Sequence, residues 1–403
     1  MRTTIIISTA TLLGLATNSY AGGFSYEGIN STGPLFNYKR FVVQGSAAYV
    51  KTNRDYENGT GTNQIGTPVT DSSSSNAVAN YSLVAGELKF SIDDHVDCML
   101  QGNEPWKLRN EVSSSFNGRF EQSKFYIDSL GLNAVCSYKL NISDNGLLRF
   151  IGGLRTTDLE ATRENSIIGA AVPGAPGAVA GMEFTNKYKF ESDSRELGYR
   201  LGVSFEIPSI LLRAQLIYDS PIESDLSGTQ TISGNGITLL SPTPVSTHVE
   251  LPQSISARFQ SGINDTTLIF AGVKWQQWSA IPGFKITSAT NPLLNRTLTT
   301  GWEDGWTVEG GVQKKVSDNL GLSASVTWNE GIGGIYTDSW KFAAGASYDL
   351  DENWRVSLGG SASLLTDDYE VSNGAGAGLS SSTYDQGDDW AYAVGIKLQY
   401  SIR

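Results

Sequence analysis

The last stretch of the chain, Ala393-Val-Gly-Ile-Lys-Leu-Gln-Tyr-Ser-Ile-Arg403, sets Val394, Ile396, Leu398, Tyr400 and Ile402 against Gly395, Lys397, Gln399, Ser401 and Arg403. Apolar and small or polar residues alternate with a strict period of two, so one face of a strand meets an apolar medium and the other meets water. The pattern returns in Leu320, Leu322, Ala324, Val326 and Trp328 against Gly321, Ser323, Ser325, Thr327 and Asn329, and again in Val356 and Leu358 against Arg355, Ser357 and Gly359. Repeated along strands of about ten residues, it predicts an all-β fold: a transmembrane antiparallel up-and-down barrel, lipid-facing outside and polar inside.

The start of the chain agrees. Arg2, the apolar run from Ile5 to Leu15 and the small residues of Ser19-Tyr20-Ala21 read as a signal peptide over 1–21. The apolar run is shorter than the ~20 residues of a membrane-spanning helix, so a bilayer location must come through strands. Abundant glycine (44 residues), few charged residues (17%) and 10% aromatics suit turns, a lipid-facing wall and interfacial belts. A net charge of -12 has the wrong sign for a nucleic-acid partner.

Fourteen strand candidates run from 41–53 to 387–402. Six connections are short and made of turn residues: Asp93-Asp94, Ser143-Asp144-Asn145, Pro208-Ser209, Asn264-Asp265, Ser317-Asp318-Asn319 and Asp351-Glu352-Asn353. Between them lie seven others, most long and polar, including 54–78, 109–123, 232–245 and 280–300. Strict alternation of the two kinds predicts one barrel over 41–403, with short turns and both termini in the periplasm. Trp275, Trp278, Trp302, Trp306 and Trp354 fall at strand ends, where interfacial anchors belong.

Residues 22–40 precede the first strand. They hold Phe24, Tyr26, Ile29, Asn30, Leu35 and Phe36, a segment too apolar to trail in water, and are expected to fold back as a plug, or hatch, closing the lumen on its periplasmic side. The third strand carries Gly102-Asn103-Glu104-Pro105. Glycine weakens pairing and proline gives no N–H, so a kink or a gap in the wall is expected there. A gap would let an apolar solute slip sideways into the membrane at a gain of ~0.8 kcal/mol per buried methylene; a simple bulge fits the residues equally well. Cys98 and Cys136 each lie a few residues above a short turn on neighbouring strands, the placement of a structural disulfide in an oxidising compartment.

Chemistry is sparse. Of the two histidines, His248 shares a strand face with Ser246, a spacing reminiscent of outer-membrane phospholipases, and His95 stands in Asp93-Asp94-His95 at a turn. The chain shows no zinc-ligand spacing, phosphate-cradling loop or nucleophile elbow, and it reads as a non-enzyme with no catalytic residues, metal or cofactor.

Specific residues then carry a resemblance. Leu251-Pro252-Gln253-Ser254, the turn at Asn264-Asp265, Val273-Lys274-Trp275-Gln276-Gln277-Trp278-Ser279, Trp302-Glu303-Asp304-Gly305-Trp306, Asp318-Asn319-Leu320 and Ser339-Trp340-Lys341-Phe342-Ala343-Ala344-Gly345 resemble the FadL/TodX-type outer-membrane long-chain fatty acid transporter family. The resemblance implies fourteen strands, an N-terminal hatch and lateral exit through a kinked third strand. In place of the family's Asn-Pro-Ala hatch motif stand Asn30-Ser31-Thr32 and Gly33-Pro34.

The expected function is passive uptake of hydrophobic molecules across the bacterial outer membrane by a monomer embedded in outer-membrane lipid. Long-chain fatty acids are the favoured partner, and Lys274, on the strand face opposite Ile269, Ala271 and Val273, is a lumen charge suited to attract a carboxylate, though lumen solvation accounts for it equally well. The alternatives are a general porin for hydrophilic solutes and an outer-membrane lipid hydrolase built on Ser246 and His248.

Overall fold

The computed structural model describes residues 23–70, 74, 76–367 and 380–402; the expected leader lies outside them. Eighteen strand segments form one antiparallel sheet. Four staves are each interrupted once, so the segments make fourteen staves: β1 Phe41–Thr52, β2 Tyr81–Ser91, β3 Val96–Asn103 continued by Leu108–Glu111, β4 Lys124–Ser143, β5 Gly146–Ile168, β6 Glu183–Ser192 continued by Glu196–Ile207, β7 Leu212–Asp219 continued by Ile222–Gly234, β8 Ile237–Leu251 continued by Ser254–Asn264, β9 Thr267–Gln276, β10 Gly305–Lys315, β11 Leu320–Asn329, β12 Ser339–Asp349, β13 Trp354–Leu365 and β14 Asp389–Ile402. β14 pairs with β1 from Phe41 opposite Ile402 to Thr52 opposite Ala391, which closes the barrel.

The alternation in β14 is inverted relative to a soluble protein. Val394, Ile396 and Leu398 are 61%, 48% and 44% exposed, while Lys397, Gln399 and Ser401 are 7%, 6% and 5% exposed. Only a lipid surround makes such an outer wall favourable. Cys98 and Cys136 lie directly opposite each other on β3 and β4 and form a disulfide.

Short turns collect at one end and loops at the other, with one departure. The loop expected over 232–245 is a ribbon: β7 and β8 run on to a two-residue turn at Asn235-Gly236, both with positive φ (52° and 74°). Asn-Gly is the residue pair such a hairpin turn prefers. Pro242 and Pro244 lie in the ribbon's outer strand, a place where an unpaired edge tolerates residues without an N–H.

The lumen is divided. Toward the loop end, inward-facing Ile127, Leu159, Phe190, Leu226, Val249 and Leu251 form an apolar core. Toward the turn end, the inward residues are charged and paired, as in Lys89–Asp97 and Arg149–Glu206.

Candidate functional site

The N-terminal segment threads the lumen lengthwise, extending well beyond the turn-end plug that its composition suggests. Phe24 sits in the apolar half against Trp278, Trp302, Trp106 and Tyr336, with ring centroids 4.8, 5.5, 5.8 and 6.1 Å away. The hydroxyl of Tyr26 donates to that of Tyr81 at 2.6 Å. At mid-height Glu27 bonds Arg155 and Arg200, the latter at 2.7 Å. Asn30 accepts from Arg213 at 3.4 Å. Leu35, fully buried, packs with Met99, Val135, Ile151 and Ile217, while Phe36 lies under the guanidinium groups of Arg149 and Arg213. Apolar side chains anchor both ends of the segment, and ion pairs hold its middle.

Lys274 faces the lumen, but its Nζ donates to the Glu27 carbonyl at 2.8 Å and it is 4% exposed. That contact corrects its reading as a charge open to a solute: the ammonium is enclosed by the segment that covers it.

The ladder of β3 stops at Asn103 and resumes at Leu108, opposite Gly131 and Ile127 of β4. Residues 104–107 therefore stand against residues 128–130, one residue in surplus, which is a bulge. It is pressed inward: the hydroxyl of Ser129, on the lumen face of β4, accepts from the Trp106 N–H at 2.8 Å and donates to the Trp106 carbonyl at 2.7 Å. The fit needs Gly131, where a Cβ would come within 2.8 Å of Asn103 Oδ1 and 2.9 Å of Pro105 Cγ. Gly102 is not crowded in this way, since a Cβ there would meet only Leu132 at 3.6 Å. On the other side β2 pairs with β3 only up to Ala85 opposite Asn103. Residues 81–84 and 104–107 thus border a break in the barrel wall.

Four cavities lead from the mouth to this break. The outermost, about 340 Å³, lies under a cap in which Ser381–Gln386 pairs with Tyr56–Thr62. It shares Phe125, Arg163, Phe284 and Leu298 with an apolar pocket of about 50 Å³. Phe24 separates that pocket from a third cavity of about 90 Å³, and Tyr26 separates the third from a chamber of about 130 Å³ that reaches Val84, Asn103 and Glu104. A dry cavity of about 150 Å³ is what holds a benzene-sized solute. The mouth is large enough; the inner three are not, so passage requires the partitions to move.

Charge at the mouth is asymmetric. Arg163 and Arg296 both line the outer cavity, and neither forms an ion pair with a carboxylate among the described residues. Arg163 donates to the Glu121 carbonyl at 2.5 Å, and Arg296 lies 5.6 Å from the Tyr188 ring centroid. Burial pushes the Glu121 carboxyl up to about 8, against the opposing pull of hydrogen bonds from the Ser382 hydroxyl and N–H. Glu121, the acid that Arg163 touches, is thereby biased toward its neutral form.

Trp278 and Trp302 are the site residues that strand-end position misassigns. Trp306 and Trp354 face outward as interfacial anchors, 45% and 39% exposed, but Trp278 is fully buried and joins Trp302 around Phe24. The signal was parity: in β9 the outward residues are odd-numbered, so Trp278, three beyond Trp275, falls on the lumen side. Ser246 and His248 share a face but not a bond. His248 Nδ1 pairs with Asp225 at 2.8 Å, and the Ser246 hydroxyl bonds that of Thr287 at 3.0 Å.

Among curated protein sequences none matches the chain. The family model for outer membrane protein transport proteins (OMPP1/FadL/TodX) matches residues 34–332. The fold is similar to a crystal structure of a Pseudomonas aeruginosa FadL homologue, 16% identical, covering 92% of each chain with a TM-score of 0.75. It is also similar to the Ralstonia pickettii toluene transporter TbuX, 13% identical over 91% of this chain and 90% of that one (TM-score 0.63), and to the P. putida toluene transporter TodX, 14% identical over 98% and 100% (TM-score 0.64).

Proposed function

We propose that this chain, which belongs to the OMPP1/FadL/TodX family of outer membrane transport proteins, takes up long-chain fatty acids passively and releases them sideways into the membrane through the break in β3. The observation that carries the reading is the line of cavities from mouth to wall, partitioned by Phe24 and Tyr26. An apolar tail gains by moving along such a line, at ~0.8 kcal/mol per methylene taken out of water. Straight descent offers no comparable gain, because below the apolar half the lumen is filled by the N-terminal segment and its buried ion pairs.

Arg163 and Arg296 favour a solute with an anionic head. A carboxylate at the inner edge of the outer cavity would meet two guanidinium groups while its tail enters the pocket walled by Phe125, Leu159, Phe190 and Leu251. The segment 22–40 then acts as the hatch and residues 102–105 as the lateral gate, with the short turns facing the periplasm and the barrel working as a monomer.

A second reading, a channel for monoaromatic hydrocarbons, is favoured by the aromatic wall of the same pocket, where Phe24, Phe125, Phe190 and Phe284 meet. Uptake of labelled palmitate, toluene and a small sugar by cells that lack their own transporter and express this chain separates the readings. Palmitate uptake above background, lost in Arg163→Met, supports the first; toluene uptake insensitive to Arg163→Met supports the second; entry of the sugar alone overturns both in favour of a porin.

A further inference from the structure

At the break in the wall a side chain stands where a strand should be. The backbone N–H of Val84, left without a partner strand on that side, donates at 2.8 Å to Oε2 of Glu104. The other oxygen, Oε1, accepts from Lys107 Nζ at 2.6 Å. Asp128, 3.5 Å from the same ammonium, is held separately by Arg109. Glu104 lines the chamber behind the break, whereas Lys107 lines the cavity before it, so their ion pair lies on the partition between the two.

We infer that Glu104 is a removable bolt across the wall and that the anionic head group of a solute draws it by competing for Lys107. The inference rests on the lateral-release reading above and adds the residue pair that makes release selective for charge. Lys107 carries three donors on a flexible stem and can exchange one carboxylate for another of the same kind without losing its charge-assisted bond. Glu104, released from its partner, swings into the chamber behind the break, whose lining includes Gln101, Arg258 and Lys397, and this frees Val84 and widens the break. A neutral solute of equal length offers Lys107 nothing and meets the bolt in place.

The test compares palmitate with hexadecanol, equal in chain length and different in charge, in cells without their own transporter, with uptake by transporter-free cells subtracted. In Glu104→Gln the amide oxygen still accepts from Val84, but the attraction to Lys107 is lost; hexadecanol uptake is expected to rise about fivefold while palmitate changes less than about twofold. In Lys107→Met the bolt loses the same partner, so hexadecanol uptake is expected to rise by a similar factor with palmitate again little changed, and Lys107→Arg to restore the discrimination against the alcohol. Ala48→Trp, which fills the chamber behind the break, is the control for the route itself. If Ala48→Trp stops both probes while Glu104→Gln leaves the palmitate-to-hexadecanol ratio unchanged, the bolt is wrong and lateral release stands. If Ala48→Trp leaves palmitate uptake intact, lateral release fails and the bolt fails with it.

Discussion

The backbone N–H of Tyr26 donates to the carbonyl of Pro105 at 2.8 Å, which joins the N-terminal segment to the inward bulge of β3. The next pair along, Ser25 and Trp106, forms an antiparallel bridge, and the pair after it is joined by the Lys107 N–H, which donates to the Phe24 carbonyl at 3.2 Å. The segment is thus a short extra strand added to the part of the wall that has left its own ladder, the same economy by which a peptide completes an open sheet edge. The element that partitions the cavities and the element that borders the exit cannot move independently.

Glu27 holds that unit in place. Glu27→Ala leaves Arg155 and Arg200 with less compensation in a buried site, a change that costs about 3 kcal/mol. The amides of Tyr26 and Lys107 should then exchange with solvent faster and by the same factor. Hydrogen exchange that accelerates at Tyr26 alone would show the two elements to be uncoupled.

Arg163 should act on the head group and not on the tail. A hydrogen bond to a charged group is worth about 1.5–3 kcal/mol, so Arg163→Met should weaken palmitate binding about 10- to 150-fold and Arg163→Lys much less. Titration of the purified chain with palmitate and with toluene checks this, toluene being expected to change less than about twofold.

The cap over the mouth should respond to pH through Glu121. Its carboxyl is raised in the folded state, so the stability it contributes is complete below the usual carboxylate range and is lost as pH rises through about 8. Above that value the ionised carboxyl is penalised by its burial under the cap, and amides of Ser381–Gln386 should exchange faster than the intrinsic rate predicts. Glu121→Gln should abolish this extra dependence; if it persists, another group controls the cap.

Much of the barrel is legible in the chain because lipid imposes a two-valued code. Each outward position must be apolar, as Ile396 and Leu398 are, and each inward one is free to be polar, as Lys397 and Gln399 are. The place where β3 leaves its ladder is likewise written locally, in Pro105, which has no N–H to give. Contacts across the lumen have no such code. Nothing near Lys274 in sequence announces that Glu27, far away in the chain, will cover it, and nothing near Trp302 announces Phe24. The ribbon at Asn235-Gly236 was readable from its turn pair and was obscured by the length and polarity of 232–245.

The disulfide fastens the lower part of β3 to β4, so any widening of the break must fall on the β2 side. It closes a loop with a sequence separation of 38 residues, for which chain entropy gives about 4 kcal/mol. Cys98→Ser with Cys136→Ser should therefore lower the unfolding temperature in detergent while leaving palmitate binding at the mouth unchanged. A variant that unfolds at the wild-type temperature would mean that the barrel's own ladder already supplies this constraint.

The most direct test of the account is palmitate uptake by the Ala48→Trp chain in cells that lack their own transporter, beside binding of palmitate to the same purified variant. An indole at this position fills the chamber of about 130 Å³ behind the break and leaves the mouth and the apolar pocket, which Ala48 does not line, as they are. The account predicts wild-type binding with uptake at background. Wild-type uptake through a filled chamber would contradict it, and would send the solute down the lumen, past the N-terminal segment, instead of through the wall.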